Sequence, residues 1–206
     1  MAPFDLRIYV AHAVFWLAFA AGDIAARRRA RQPSNAAALD TSDAVAAGEA
    51  PLRAPRAGLL VGAHVAAFAL MYSGIGRTVF DAHTPAVSPW RLGVGSLVIL
   101  AGGVLAGWAR LAFASWRFRA QLDPGHRLAT GGPFRWVRHP IYAGLDLLAL
   151  GTALWLPTPL TWLGALAMAA GGELRARAEE PLLERAFGDA FRDYRRRTWR
   201  FVPGVY

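Results

Sequence analysis

Long apolar stretches, separated by short polar segments, run through most of the chain. Three of them, at residues 6–24, 57–75 and 92–113, have the roughly 20 mostly apolar residues that a helix needs to cross a bilayer. A fourth, at 141–172, is interrupted by a Pro-Thr-Pro sequence at 157–159, which predicts two short helices joined by a tight turn. The pattern therefore predicts an all-α integral membrane protein with about five transmembrane helices.

The apolar hairpin at 141–172 allows two arrangements. Each of its halves has about 16 residues, which extends about 24 Å at 1.5 Å per residue. That length is short of the roughly 30 Å hydrocarbon core. Either both halves cross the bilayer, which gives five spans, or the hairpin enters and leaves on the same side.

The distribution of arginine predicts the orientation of the spans. Arginines at 27–29 and 31 directly follow the first span and should hold its C-terminal end in the cytoplasm. Five alternating crossings then leave only Arg7, Arg77 and Arg91 on the outer side. We therefore expect the N-terminus outside, the C-terminus in the cytoplasm, and the protein in the cell inner membrane.

The amino-acid composition limits which catalytic groups and which binding partners the chain can have. The hydrophobic residues make up 55% of the chain, the charged residues only 18%, and the formal net charge is +9. Arginine supplies every basic side chain, and there is no cysteine, so Schiff-base lysines, disulfides and thiolate nucleophiles are excluded. In so apolar a chain, the basic charge favours binding to membrane lipids over binding to nucleic acid, and no metal site is expected. The oligomeric state stays open.

Two regions are predicted. Residues 1–115 form an N-terminal three-span membrane region with a cytoplasmic loop at 27–56. Its alanine-rich part, residues 32–55, is predicted to be mobile and to carry no chemistry. Residues 116–206 hold the membrane hairpin and C-terminal cytoplasmic or interfacial helices.

Several small or polar residues lie inside the predicted spans. Gly103 and Gly107, at GxxxG spacing, should let another helix approach closely. His12 and His64 are expected to form hydrogen bonds between helices. Asp146 is costly in hydrocarbon unless paired, so it is expected to pair with an arginine at the cytoplasmic rim.

Polar residues concentrate in two segments. The first reads Gly-Gly-Pro-Phe-Arg-Trp-Val-Arg-His-Pro-Ile-Tyr-Ala-Gly over residues 131–144. In it, Arg138 and His139 precede Pro140, which suits the first turn of a helix whose exposed N–H groups favour an anionic group. Tyr142 follows within one turn. Alternatively, these side chains only anchor a helix among lipid headgroups.

The second segment, residues 173–184, carries the acidic pair Glu179 and Glu180. On a helix, Arg175 and Glu179 can pair, whereas Glu180 lies about 140° from Arg175 around the axis. Pro181 is predicted to restart the chain as an amphipathic helix. Its apolar residues are Leu182, Leu183, Phe187, Phe191 and Tyr194, and its basic residues are Arg185, Arg192, Arg195, Arg196 and Arg197. Such a helix suits an anionic membrane surface.

Together the two segments resemble the isoprenylcysteine carboxyl methyltransferase family and its phospholipid methyltransferase relatives, which are integral membrane enzymes. The resemblance covers residues 131–203 and implies S-adenosylmethionine as cofactor and a cytoplasmic catalytic region. It implies that the cofactor pocket is formed by Arg138, His139, Pro140, Tyr142 and Gly144 and completed by Glu179 and Glu180. It also implies that Arg175 faces the methyl acceptor, with Glu180 as a second catalytic residue.

The acceptor and two alternative functions stay open at this point. A carboxylate acceptor needs an arginine to orient it, whereas an amine acceptor must lose a proton to a base such as glutamate. Both groups are present, so a lipophilic carboxylate or amine is expected. The ending at 201–206 is also reminiscent of membrane sterol reductases, which use NADPH. A non-enzymatic membrane scaffold that only holds lipid is the other alternative.

Overall fold

The computed structural model describes residues 6–30, 52–80, 87–113, 121–122 and 126–206. Five α-helices carry nearly all of the regular structure in these ranges. They are α1 (Leu6–Ala30), α2 (Ala57–Phe80), α3 (Pro89–Ala112), α4 (Pro140–Trp155) and α5 (Pro159–Arg197). The predicted helical fold is therefore confirmed.

The first three helices are each long and apolar enough to cross a membrane. They contain the spans predicted at 6–24 and 57–75 and all but the last residue of the span at 92–113. The fourth helix is apolar but has only 16 residues. The predicted proline turn after α4 is confirmed, because Pro159 begins α5 and Thr158 caps it through reciprocal hydrogen bonds with Thr161.

Close helix packing organises the bundle around α3, which contacts both α1 and α4, while α2 packs on α5. A Cβ added at Gly107 would lie 2.8 Å from the carbonyl oxygen of Ala18, and one at Gly103 would lie 3.2 Å from Cα of Phe15. These glycines therefore allow α1 to approach, as their spacing predicts. At the same end, buried Arg110 of α3 pairs with Asp23 of α1.

The two histidines that were predicted to form hydrogen bonds between helices, His12 and His64, differ in their contacts. His12 links three helices, because its Nδ1 lies 3.1 Å from the Tyr72 hydroxyl and its Nε2 lies 2.9 Å from Oγ1 of Thr152. The predicted interhelical hydrogen bonds of His12 are confirmed. His64 instead packs its ring against α5, where a Cβ at Gly171 would lie 2.9 Å from its Nδ1.

The predicted restart of the chain at Pro181 is wrong. Helix α5 runs through this residue for 39 residues, and Pro181 lies on its exposed side. The break falls instead at Gly188, whose φ of 52° and ψ of −123° are not helical. Only glycine adopts such a conformation at little cost, so Gly188 sets the direction of the last helical turns.

The apolar side of this last part of α5 is buried, as predicted, at Leu182, Phe191 and Tyr194, whereas the five predicted basic residues are exposed. Leu182 packs against a two-stranded antiparallel sheet that was not predicted. Its strands are β1 (Leu52–Arg53) and β2 (Gln121–Leu122). The end of the predicted loop at 32–55 is thus ordered, and residues 32–51 lie outside the described residues.

Candidate active site

A short irregular segment leads into α4 and is held by the end of the chain. A 3-10 helix, Gly132–Arg135, is followed by Val137, which forms a parallel bridge with Trp199. The backbone N–H of Arg138 donates to the carbonyl of Trp199 at 2.8 Å, and that of His139 donates to the carbonyl of Arg200 at 3.1 Å. These bonds fix the two side chains just before Pro140 starts α4.

Glu180 lies at the centre of a cluster of cationic and imidazole groups. Its Oε1 accepts hydrogen bonds from Nε of Arg138 at 3.1 Å and from Nε2 of His139 at 3.3 Å. Arg200 donates to both oxygens, from Nε to Oε1 at 3.0 Å and from Nη2 to Oε2 at 2.8 Å. The carboxylate of Glu180 is therefore fully engaged by protein groups.

The pKa values of the two neighbouring glutamates are shifted in opposite directions. Burial alone would raise the pKa of Glu180, but hydrogen bonds from His139 and Arg200 hold it well below its usual range. Burial raises the pKa of Glu179, and it outweighs the lowering effects of nearby His139 and of the hydrogen bond from Tyr142. Glu180 is thus held as an anion, whereas Glu179 takes up a proton more readily than an exposed glutamate.

Tyr142 connects the two segments. Its hydroxyl donates to Oε1 of Glu179, and its ring stacks on that of His139 with centroids 5.8 Å apart and planes 10° apart. The guanidinium of Arg175 lies over the same ring, 4.9 Å from the centroid. Arg175 is only 1% exposed, and its Nη2 lies 3.9 Å from Oε1 of Glu179, so the predicted pairing of these two residues is confirmed.

A pocket opens beside these groups. Seven of its lining residues are polar or charged: His126, Arg127, Arg138, His139, Tyr142, Glu179 and Tyr194. Its remaining lining residues are Phe113, Leu122, Leu128, Ala129, Phe134, Pro140, Ile141 and Leu183. A mostly apolar pocket with a few convergent polar groups is typical of a small-molecule site.

The predicted cofactor residues fall into two groups. Arg138, His139, Pro140, Tyr142 and Glu179 line the cavity, whereas Glu180 lies behind it, among its cationic partners.

Gly144, also predicted to bind the cofactor, packs against α3. A Cβ there would lie 2.8 Å from Cβ of Ala106. Its position indicates a role in helix packing.

His139 is buried at the start of α4. It is only 6% exposed and contacts Phe201 as well as Tyr142. Asp146 was expected to pair with an arginine. Within the described ranges it has neither a hydrogen bond nor an ion pair, and its Oδ1 is sealed from solvent.

Sequence reasoning missed the contribution of the last residues to the site. Arg200 binds Glu180 and also donates from Nη1 to Oε1 of Glu173 at 2.9 Å. The Tyr206 hydroxyl donates to the same Glu173 oxygen at 2.8 Å. No periodic pattern in the sequence identifies Arg200 as a site residue. Its contact with Glu180 forms only because the chain reverses after α5. The sequence assigns no partner to the carboxylate of Glu173. That unassigned acidic group was the one sign that another cation packs near this part of α5.

A family model described as phospholipid methyltransferase matches residues 90–190. The match begins at the start of α3, so the similarity reaches further toward the N-terminus than the predicted start at residue 131. It includes α3, α4 and most of α5, together with every predicted site residue.

Three similar curated proteins are named protein-S-isoprenylcysteine O-methyltransferase. The chain is 30% identical over 82 residues to that of Dictyostelium discoideum, covering 39% of this chain and 35% of the relative. It is 30% identical over 121 residues to that of Xenopus laevis, covering 56% and 42%. For Schizosaccharomyces pombe the identity is 35% over 79 residues, covering 38% and 34%. The matches therefore span about a third to two fifths of these relatives.

A solved structure with a similar fold is the eukaryotic intramembrane Ras methyltransferase, an isoprenylcysteine carboxyl methyltransferase. The TM-score is 0.63 at 23% sequence identity, and the match covers 100% of this chain and 69% of that one. The likeness confirms the membrane fold expected from the sequence.

Proposed function

We propose that this chain is a member of the isoprenylcysteine carboxyl methyltransferase family and transfers a methyl group from S-adenosylmethionine to a lipophilic acceptor within the membrane. One observation carries the proposal. His139, from the start of α4, and Glu179, from the polar second half of α5, meet through Tyr142 at the wall of one pocket. Two segments that each contain the family motif thus supply complementary polar groups to a single pocket.

The residues that line the cavity fit the proposed methyl donor. S-adenosylmethionine carries an ammonium, a carboxylate and an aromatic base, and when bound it supplies a methyl group on a positively charged sulfur. Glu179 provides an anionic group for the cationic part, and Arg138 provides a donor for the carboxylate. Phe113, Phe134 and Ile141 supply an apolar surface for the aromatic base.

Glu180 has a different task from the one that its motif suggests. Since both of its oxygens bind Arg138, His139 and Arg200, it is committed to holding the pocket wall in place. We therefore assign donor contact to Glu179 and the positioning of Arg138 and His139 to Glu180. This assignment keeps the acidic pair in the site but separates the roles of its members.

Arg175 is the residue proposed to orient the acceptor. It does not line the donor cavity but touches Tyr142, which does. A guanidinium stays charged at any relevant pH, so Arg175 acts as an electrostatic clamp and not as a base. A carboxylate acceptor needs no base, whereas an amine acceptor would transfer its proton to a deprotonated Glu179. Tyr142 is buried, and its surroundings keep water away from the reacting groups.

The arrangement of the chain in the membrane is part of the proposal. The N-terminus lies outside and the C-terminus in the cytoplasm, with the site at the cytoplasmic ends of α4 and α5. A lipophilic acceptor then enters from the bilayer, and its polar head reaches Arg175. The two-region division at residue 115 and the cell inner membrane location belong to the same proposal.

Side-by-side binding of S-adenosylmethionine and NADPH to the purified protein in detergent tests the proposal against its alternatives. We expect a calorimetric signal for the methyl donor and none for NADPH. A signal for NADPH alone would favour the reductase alternative. The absence of both signals, in protein shown to be folded, would favour the scaffold.

A further inference from the structure

A buried ion pair joins α1 to α3 close to the pocket proposed for the methyl donor. Arg110 of α3 is only 1% exposed, and its Nη2 binds Oδ1 of Asp23 from α1. The second oxygen of Asp23 accepts from Nε of Arg27 at 2.8 Å. A buried charge is costly unless it is paired and its donors are used, so the other contacts of Arg110 indicate what the pair does.

Arg110 also holds the end of its own helix. Its Nη1 donates to the carbonyl of Phe113 at 2.9 Å, and the backbone N–H of Phe113 donates to the carbonyl of Arg110 at 3.3 Å. Phe113 is the C-cap of α3, where helical carbonyls lose their backbone partners. An arginine in the last turn that binds such a carbonyl fixes where the chain leaves the helix. The ion pair thus ties the backbone of Phe113 to α1.

Phe113 is one of the residues that line the pocket. Its ring meets the ring of Phe134 edge to face, with centroids 5.5 Å apart and planes 77° apart. It meets the ring of His126 in the same way, at 5.3 Å and 88°. Phe134 and His126 also line the pocket, and we call these three residues the aromatic wall. Edge-to-face contacts depend on ring orientation, so a shift of Phe113 displaces both neighbours.

The guanidinium suits this task because it reaches two groups at once. One Nη binds Asp23, the other binds the carbonyl of Phe113, and Cζ lies 5.7 Å from the ring centroid of Phe19 in α1. A planar guanidinium fixes the direction between its two partners, which a compact ammonium does not. Gly22 of α1 leaves room for this contact, because a Cβ there would lie 3.0 Å from Cβ of Arg110.

We propose that Asp23 and Arg110 are positioning residues for the donor pocket. Arg110 orients Phe113 and, through it, the aromatic wall, and Asp23 holds Arg110 in the orientation that this requires. None of the described residues of α1 lines the pocket, so α1 sets the donor affinity without touching the donor. The proposal rests on the proposed function, since it takes this pocket to hold S-adenosylmethionine.

Two measurements test it, one without the donor and one with it. A fluorinated phenylalanine at position 113 reports the surroundings of that ring by fluorine NMR in the ligand-free protein. Calorimetry in detergent gives the dissociation constant of S-adenosylmethionine. Both are applied to wild type, Arg110→Lys, Asp23→Asn and the control Arg27→Ala. Arg27 binds the same carboxylate as Arg110, but its side chain is 67% exposed.

Arg110→Lys keeps a charge for Asp23 but loses the planar fork. The fluorine resonance should therefore shift or broaden, and donor affinity should fall about 5- to 10-fold. Asp23→Asn leaves Arg110 a neutral acceptor and should change both readouts in the same direction. Arg27→Ala should leave the resonance unchanged and the affinity within about 2-fold of wild type, because an exposed ion pair contributes little.

A double-mutant cycle separates positioning from a general structural effect. Phe113→Ala removes the ring and should itself weaken donor binding about 10-fold. Because Arg110 acts through Phe113, adding Arg110→Lys to Phe113→Ala should weaken binding no more than about 2-fold further. A purely structural role would instead lower the melting temperature and leave the donor affinity of the folded protein unchanged.

An unchanged fluorine resonance in both Arg110→Lys and Asp23→Asn would overturn the inference, as would an unchanged donor affinity in both. Effects of Arg110→Lys and Phe113→Ala that simply multiply, or an equal loss of affinity in Arg27→Ala, would also overturn it. The proposed function fails separately, if the resonance changes as expected but the wild-type protein binds no S-adenosylmethionine.

Discussion

Arg200 binds both carboxylate oxygens of Glu180 through two nearly equal hydrogen bonds, at 3.0 and 2.8 Å. The two residues are 20 positions apart and meet because the chain reverses after α5. The reversal also pairs the backbone of Arg200 with that of His139. One short segment thus fixes both an acidic side chain and the turn that starts α4.

Arg200→Ala should lower the free energy of unfolding by about 1.5–3 kcal/mol, because it leaves the buried Glu180 carboxylate short of two charged hydrogen bonds. Arg200→Lys should recover little, since a compact ammonium does not replace a bidentate guanidinium. Chemical denaturation in detergent measures both. The matched control is Arg192→Ala, which removes an exposed pair with Asp189. Equal effects of Arg200→Ala and Arg192→Ala would contradict this account.

The Glu180 cluster should make the protein sensitive to acid. The pKa of Glu180 in the folded protein lies below the ordinary value of 4.5, so the folded state binds fewer protons there than the unfolded state. Its stabilising effect is therefore complete above pH 4.5 and is lost as the pH falls below that value. The difference in melting temperature between wild type and Glu180→Gln should be largest near pH 7 and shrink toward pH 3. A difference that grows on acidification would be inconsistent with this cluster.

Binding of the methyl donor should depend on pH through Glu179. Burial raises its pKa, so a fraction of Glu179 is protonated at pH values where an exposed glutamate is ionised. Only the ionised form attracts a cationic ligand, and donor affinity should therefore rise with pH through the Glu179 titration. Glu179→Gln should weaken the affinity about 10-fold, or 1.4 kcal/mol, and remove its share of the pH dependence.

Glu184→Gln, on the same helix, is the control for Glu179. Its side chain is 35% exposed and pairs with Arg192 and Arg195 away from the cavity. Donor affinity measured by calorimetry at several pH values should match wild type in this variant. If Glu179→Gln also matched wild type at every pH, Glu179 would have no role in donor binding.

A substitution at Gly144 tests whether this residue serves helix packing or cofactor binding. Gly144→Ala should destabilise the protein by about 1–3 kcal/mol, because the added methyl meets Ala106 and the backbone of Gly102 in α3. Gly58→Ala, at a helical position with open space, should be neutral or slightly stabilising. Thermal unfolding measures both, and donor affinity is measured on the folded fraction. Unchanged stability with lost donor binding in Gly144→Ala would return this residue to the cofactor pocket.

The helices and the site motifs were accessible from the sequence because each rests on a local pattern. Hydrophobic runs long enough for a bilayer located α1, α2 and α3, and the Pro-Thr-Pro sequence located the turn between α4 and α5. The spacing of Arg175 and Glu179 predicted their pairing, which depends only on helix geometry.

The remaining features depend on tertiary contacts that leave no local signal. Pro181 indicated a helix break, yet the packing of Leu182 and Ala178 in one cluster keeps α5 continuous there. The break occurs at Gly188, a residue that the hydrophobic pattern does not distinguish. Likewise, Glu179 and Glu180 are adjacent residues of the same type, and the sequence does not distinguish them. Their surroundings differ because the chain reversal after α5 brings Arg200 to Glu180.

Transfer of a labelled methyl group tests the central claim most directly. The protein in lipid nanodiscs is incubated with S-adenosylmethionine carrying a tritiated methyl group and with an extract of membrane lipids and lipidated peptides, and the organic phase is counted. We predict label in a lipophilic product for wild type and, with the donor at a saturating concentration, at least 10-fold less for Arg175→Ala, which keeps every residue that lines the donor cavity but removes the proposed contact to the acceptor. Donor binding by folded wild-type protein without label in any lipophilic product, or equal labelling by Arg175→Ala, would contradict the account.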